Sequence, residues 1–456
     1  MIRLGEIAAA CGGTVLGEDR AISPEAFIDS RAVVPGGLFC AFRGERSDGH
    51  DHVAAALDGG AGAALVDHPV EGVGPLVVVD DVQVAMGRLA AAHVARLRDS
   101  LTVVAVTGSV GKTTTKDLLA AVLPGPTVVT RGSFNNEIGL PLTALRATPG
   151  TRHLVLEMGA DKEGDIAYLT SLVPPDVSVV LAVARAHLGV FGGIERVAEA
   201  KQEIVRGLAP GGTAVLNADD HRVAAMAAVA PGAVVRFGLE PRPADDPVTV
   251  AASDVRLDEG GHASFTLRAG GGSEPVTLGL VGAHHVSNAL AAAAVAHTLG
   301  VPLPDVARAL SGRAASSPHR MSVTTRADGI TIIDDAYNAN PDSMAAALRT
   351  LTAIAHGRRS VAVVGAMLEL GDAEVEEHAA VGALAADLGV DRLITVGQLA
   401  SHAAGEFPPD RVRRCADLDA ARAALAEELR AGDVVLIKAS NGSRLWTLAD
   451  EWAGEA

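Results

Sequence analysis

At 456 residues the chain is too long for one ordinary core and predicts two or three domains. Its formal net charge of −17 argues against nucleic acid as a partner, and it leaves any phosphorylated ligand dependent on local cations, backbone N–H groups and metal ions. A composition 48% hydrophobic but only 3% aromatic calls for cores of Ala, Val, Leu and Ile, and the three scattered cysteines, Cys11, Cys40 and Cys415, argue against a disulfide framework.

The N-terminus, MIRLGEIAAACGG, carries Glu6 early and lacks an apolar secretory core. No apolar run is long enough to span a bilayer, so a cytoplasmic protein without membrane insertion is expected. Residues 1–98 predict a small α/β unit, with strands in GLFCAF (37–42), AALVDH (63–68) and PLVVVD (75–80) and helices at 51–58 and 82–98. The second unit, 99–312, opens on the apolar strand LTVVAVTG and repeats strand and helix through HLVLEMG (153–159) and VSVVLAVA (177–184). That alternation predicts a parallel sheet with helices on both faces. Within it, 247–281 reads as antiparallel strands separated by Gly-rich turns, followed by a helix at 287–300. The polar stretch SGRAASSPHR (311–320) predicts a hinge. A third α/β alternation fills 313–456, with strands in GITIIDDA, RRSVAVVGA, DRLITVG and DVVLIKA.

The strongest motif is TGSVGKTTTK. A strand, a glycine-rich turn and a helix surround an anion with backbone N–H groups, and the helix N-terminus adds its partial positive charge. The common pattern G-x-x-x-x-G-K-[ST] needs a glycine where this chain has Val106, so the loop is a short form, Gly108-Ser109-Val110-Gly111-Lys112-Thr113. Lys112 would reach the β- and γ-phosphates and the Thr113 hydroxyl would bind Mg²⁺.

Other positions read two ways. Glu157 closes a strand beside a glycine, as a metal ligand facing the crevice or as a solvated strand-end carboxylate. His187 follows the next apolar strand, as a ligand or as a capping or buried histidine. Lys201 sits on an amphipathic helix, where the solvated reading dominates. Asn135 and Asn136 precede a Gly-Leu-Pro break that fits a turn or a binding loop. In IIDDAYNANPDSM (332–344) a polar cluster ends a buried strand. Asp342 or Ser343 could cap a helix and Pro341 could stop the strand, or the cluster could bind a ribose or base.

In that order the motifs resemble the Mur ligase family, ATP-dependent amide-forming enzymes of peptidoglycan precursor synthesis, over nearly the whole chain. The resemblance implies a three-domain α/β fold: an N-terminal domain for a UDP-substrate, a central P-loop mononucleotide-binding parallel sheet with an antiparallel portion, and a C-terminal Rossmann-like ligase domain. It accounts for the short loop, whose Gly108, Ser109, Val110, Gly111, Lys112, Thr113 and Thr114 would hold ATP. Similar proteins place magnesium, two ions in all, at the positions of Glu157 and His187 with Thr113, and carbamylate the lysine at the position of Lys201. Asn288 and Asp335 would contact the nucleotide, with Tyr337 and Asn338 near its base, and Arg320 would reach the transferred phosphate. Lys112, Lys201, His187 and Arg320 are then the catalytic set.

DAYNANPDSM together with GAMLELGD (365–372) resembles the MurF-type branch, which joins D-alanyl-D-alanine to UDP-N-acetylmuramoyl-tripeptide for cell-wall biogenesis, and hence for cell shape and division. The Asp-Asn-Pro signature of the branch that adds the third amino acid is missing. The stretch at 29–51 looks like the uridine-nucleotide domain, with Ser30, Arg31, Gly44, Asp48 and His50 as contacts. Asn135, Asn136, Lys438 and Ser440 complete the substrate positions, and a monomer is expected. Two departures stand out. His284-His285 replaces the His-Asn of many relatives, and in IKASNGSRLW both Ser440 and Ser443 compete for one serine position. Two alternatives stay open: a related ligase of folylpolyglutamate type with another amine acceptor, and a P-loop ATPase that forms no amide.

Overall fold

Runs of β-branched and aliphatic residues become the centres of three sheets in a computed structural model that describes residues 1–44, 47–185, 188–242, 247–314 and 317–454. Among these residues the first sheet has five strands, ordered Thr14–Leu16, Leu76–Val78, Ala63–Val66, Leu38–Cys40, Ala26–Phe27. Only its edge strand Thr14–Leu16 runs antiparallel. The second has nine strands, running from Gly272–Val281 at one edge through Thr102–Thr107 to Thr127–Val129 at the other. Strands Val250–Leu257, His262–Ala269 and Gly272–Val281 form the antiparallel portion expected for 247–281. The third has six strands, ordered Ser322–Thr325, Thr331–Asp334, Val434–Lys438, Ser360–Val364, Arg392–Val396, Val412–Cys415, parallel except for the first.

The scarcity of aromatics shapes the packing. Helix His285–Thr298 is buried along almost its whole length, and six of its eleven buried residues are alanines. Side chains this small let the helix axis lie close to the sheet. Helix Val82–Leu97 links the first two units through a shared core. Its Met86, Leu89 and Ala90 join Leu4 and Ile7 on one side and Leu140 and Leu145 on the other in one apolar cluster. An N-terminal helix, Leu4–Cys11, buries Leu4, Ile7, Ala8 and Cys11, an element beyond the helices predicted at 51–58 and 82–98.

Candidate active site

Strand Thr102–Thr107 lies mid-sheet, between His153–Glu157 and Val177–Val180, and its carboxyl end carries the phosphate loop. The loop turns at Gly108 (φ +156°) and Gly111 (φ +83°), and helix Lys112–Val122 starts directly after Gly111. A side chain at Gly111 would place its Cβ 2.3 Å from Asn288 Oδ1, so the close approach of helix His285–Thr298 requires a glycine there. The Ser109 hydroxyl donates to the Ala184 carbonyl (3.2 Å) and accepts from the Ala184 N–H (3.0 Å), tying the loop to the chain beyond the next strand. Lys112 Nζ folds back to the Gly108 carbonyl at 2.7 Å, and burial lowers its pKa.

Glu157 ends the adjacent strand and is 1% exposed. One carboxylate oxygen accepts from the Thr113 hydroxyl at 2.9 Å and the other from Asn135 Nδ2 at 2.9 Å. Among the described residues it makes no ion pair. A buried carboxylate with a free charge beside a hydroxyl is a hard-oxygen donor set, which fits Mg²⁺. Lys201 faces the same cleft although only 4% of it is exposed. Burial, with the Lys112 charge as a second cause, lowers its pKa to about 7. Its side chain is therefore not the solvated lysine that the amphipathic pattern suggested. His187 lies outside the described residues.

The third sheet contributes from across the cleft. Arg320 stacks its guanidinium 4.2 Å above the Tyr337 ring, and the Tyr337 hydroxyl hydrogen-bonds that of Ser133. Phosphate loop, Asn135, Asn136, Glu157, Lys201, Arg320, Tyr337 and Asn338 all line one cleft of about 760 Å³, which Gln83 of the first unit also reaches. On the other side of the loop lies a cavity of about 260 Å³, lined by Val110, Gly111, Thr114, Asn288, Asp335, Asn338 and Lys438. Ser109, Val110, Gly111, Arg320, Tyr337 and Asn338 line both spaces. Lys438, 2% exposed, donates to Asp335 Oδ2 at 2.6 Å and to the Asn338 carbonyl at 2.8 Å. The structure thus groups Lys438 with the nucleotide candidates rather than in the larger cleft. Ser440 accepts from the Leu368 N–H (3.1 Å) and donates to the Ala339 carbonyl (3.3 Å), while Ser443 lines a separate groove.

In IIDDAYNANPDSM the helix cap is Asn340: its Oδ1 accepts from the Ser343 N–H at 2.8 Å, and Ser343 Oγ accepts from the Asn340 N–H at 3.0 Å. Pro341 takes the first helical position. Asp342 is therefore left free for another partner.

The first-unit candidates do not line the central cleft. Arg31 is paired with Asp29 at 2.8 Å on the surface, and the Gly44 N–H donates to the Ser47 carbonyl at 3.0 Å. Ser30 sits in the same turn as Arg31. Asp48 binds His50 twice, through the backbone N–H (2.9 Å) and Nδ1 (2.6 Å). His50, Asp67 and His68 bring metal-type donors together, but Arg43 lies 3.3 Å from Asp67 and 3.4 Å from His68 Nδ1, which opposes a cation there.

Sequence reasoning missed three features. The loop Gly159–Asp165 forms one wall of the cleft, and Glu203 pins it by accepting from the Gly164 N–H (2.7 Å) and the Ala167 N–H (2.8 Å). His285 Nδ1 sits 3.1 Å from Asn288 Nδ2, behind the phosphate loop. Burial in that position drives its pKa well below the ordinary histidine value. Arg185 bridges two units. The first had a signal in the sequence, because it directly follows the strand that ends in Glu157, and the second stood out as the His284-His285 departure; Arg185 had none.

Three family models match in succession: "Mur ligase family, catalytic domain" at 26–105, "Mur ligase middle domain" at 106–296, and "Mur ligase, glutamate ligase domain" at 319–441. The UDP-N-acetylmuramoyl-tripeptide--D-alanyl-D-alanine ligase of Mycobacterium tuberculosis H37Rv is 44% identical over 98% of this chain and 97% of its own. A crystal structure of MurF from Acinetobacter baumannii superposes with a TM-score of 0.87 at 32% identity, covering 99% of this chain and 98% of that one. MurF ligase from Thermotoga maritima, solved in complex with ADP, gives 0.78 at 31% identity over 95% of this chain and 98% of that one.

Proposed function

Because the chain belongs to the Mur ligase family, we propose that it is the ATP-dependent, ADP-forming ligase that joins D-alanyl-D-alanine to UDP-N-acetylmuramoyl-tripeptide, yielding the pentapeptide precursor of peptidoglycan. The observation that carries this reading is the cleft of about 760 Å³ on which all three units converge around the phosphate loop. A simple ATPase needs the loop alone. A ligase must bring an ATP γ-phosphate, a peptide carboxylate and an amine to one place, which requires walls from several units.

The chemistry follows from the leaving-group problem. A carboxylate resists amine attack because it is anionic and would have to expel oxide. Transfer of the γ-phosphoryl group to it makes an acyl phosphate, from which phosphate departs when the amine of D-alanyl-D-alanine attacks. An α-amino group has a pKa of about 8, so a neutral fraction exists at neutral pH without strong base catalysis. The harder task is pressing the carboxylate against the γ-phosphate. Lys112 and Arg320 offset that repulsion by electrostatic stabilisation.

Magnesium would be held by Thr113, Glu157 and His187, with a carbamylated Lys201 supporting a second ion, and would supply further positive charge to the phosphates. Carbamylation of Lys201 would suit its place. An ammonium this buried, with no carboxylate hydrogen-bonded to it among the described residues, is costly, whereas carbon dioxide adding to the neutral amine with loss of a proton gives an anionic oxygen ligand. The pair Asp335–Lys438, with Asn288, Tyr337 and Asn338, would cradle the nucleoside. Ser30, Arg31, Gly44, Asp48 and His50 would hold the uridine diphosphate end, with Asn135 and Asn136 nearer the peptide. Ser440 would shape the acceptor side through its bond to the Leu368 N–H. The substrates are water-soluble, and no helix among the described residues is long and apolar enough to cross a membrane. We expect a monomeric cytoplasmic enzyme whose third unit closes on the second about 311–320, excluding water from the acyl phosphate.

Incubation with ATP, magnesium and UDP-N-acetylmuramoyl-tripeptide tests the assignment. Phosphate release should depend on D-alanyl-D-alanine and fail with single amino acids or glutamate. Release indifferent to the muramoyl peptide would refute it.

A further inference from the structure

Arg185 follows the strand Val177–Val180 of the nine-stranded sheet, yet its side-chain partners belong to the third unit. Its Nη1 donates to both oxygens of Glu377 at 3.0 Å, and Nη2 reaches Asp342 Oδ1 at 3.3 Å. Its backbone N–H donates to Asp342 Oδ2 at 2.8 Å. Among the described residues, both ion pairs between the second and third units are made by this arginine. The Glu377 side chain is 11% exposed, so the pair is shielded on one side from water and salt. Asp342 stands in the first turn of helix Pro341–Ala355, free to bind because Asn340 caps that helix. Just before the cap lies the string holding Asp335, Tyr337 and Asn338, which line the cavity beside the phosphate loop.

We propose that Arg185 is a positioning residue: a strap across two carboxylates that sets the nucleotide-facing edge of the third unit in register with the phosphate loop. The proposal rests on the nucleotide assignment above and on closure of the third unit. The physical case is one of geometry. A planar guanidinium that points Nη1 at Glu377 and Nη2 at Asp342 fixes the direction between its two partners as well as the distance, which a point charge cannot do. A second carboxylate on a different helix, gripped through both side chain and backbone, adds the third point that stops rotation. The contact joins segments far apart in the chain, so it forms only when the units meet.

The test uses ADP binding by calorimetry on the full-length protein, with R185A, R185K, R185E, E377R and the charge-swapped double variant R185E/E377R. Thermal unfolding serves as the control for folding. The strap predicts that R185A weakens ADP binding roughly tenfold while unfolding at the wild-type temperature, with R185K intermediate. R185E/E377R should bind ADP more tightly than R185E. Wild-type affinity should fall between 0.1 M and 1 M salt, as the Debye length shrinks from about 10 Å to about 3 Å, and R185A should lose less over that range. If R185A binds ADP within twofold of wild type, or the double variant binds no better than R185E, the proposal is overturned. Since ADP binding is read without amide formation, a wild-type protein lacking ligase activity would refute the proposed reaction and leave this test intact.

Discussion

The Thr113 hydroxyl donates to the Glu157 carboxylate across 2.9 Å, closing the first turn of the phosphate-loop helix onto the end of strand His153–Glu157. In the proposed magnesium site this hydroxyl and this buried carboxylate would be two of the ligands, and the charge is the part that matters. Glu157→Gln keeps the shape and loses the charge. It should raise the magnesium concentration for half-maximal ADP release at least about tenfold and cut kcat on the order of 10²-fold, without lowering the unfolding temperature. A magnesium titration of the coupled assay checks this, and an unshifted curve would contradict it.

Lys112 rests on the Gly108 carbonyl at 2.7 Å, a contact that a phosphate oxygen would replace. Lys112→Met should therefore leave the fold alone and slow phosphoryl transfer by ~10²–10³-fold, the scale of losing one preorganised donor. Single-turnover kinetics separates this from weaker ATP binding. An equal fall in affinity with kcat unchanged would assign the lysine to ground-state binding instead.

Gly111 faces Asn288 so closely that a Cβ would stand 2.3 Å from Oδ1. With φ at +83° as well, Gly111→Ala should cost about 1–3 kcal/mol and impair nucleotide binding. Adding Asn288→Ala removes the obstructing oxygen but not the backbone strain. Thermal denaturation of the double variant should recover part of the stability lost by the single one, and no recovery would place the clash elsewhere.

Lys201→Ala tests carbamylation, with thermal unfolding as the control for folding because the side chain is buried. Activity should vanish and return in part when acetate or another short carboxylate is supplied, since such an ion can occupy the space of the carbamate. Wild-type activity should fall in carbonate-free buffer. Absence of both effects would make the lysine a plain cation in the cleft.

Much of this arrangement was legible in the sequence, because its signals are local. The strand before the phosphate loop, its glycines and the acid ending strand His153–Glu157 each announce themselves within a few residues, and parallel pairing brings the carboxyl ends of the two strands side by side. Lys201 could also have been read from its helix. Val197, Lys201, Ile204 and Val205 share the buried stripe at helical spacing, so the lysine lies on the apolar face, but its charge outweighed its position in the reading. Pairings between distant segments were not legible. Nothing near Lys438 points to Asp335, 103 residues away, and nothing near Arg185 points to Glu377, 192 residues away. Those contacts exist only once three units have folded and met.

In the proposed mechanism a peptide carboxylate is phosphorylated before the amide forms. UDP-N-acetylmuramoyl-tripeptide carrying oxygen-18 in its terminal carboxylate, turned over with ATP and D-alanyl-D-alanine, tests it directly by mass spectrometry of the products. Acyl-phosphate chemistry predicts one labelled oxygen in each inorganic phosphate released. Phosphate without the label, alongside normal pentapeptide formation, would contradict the mechanism.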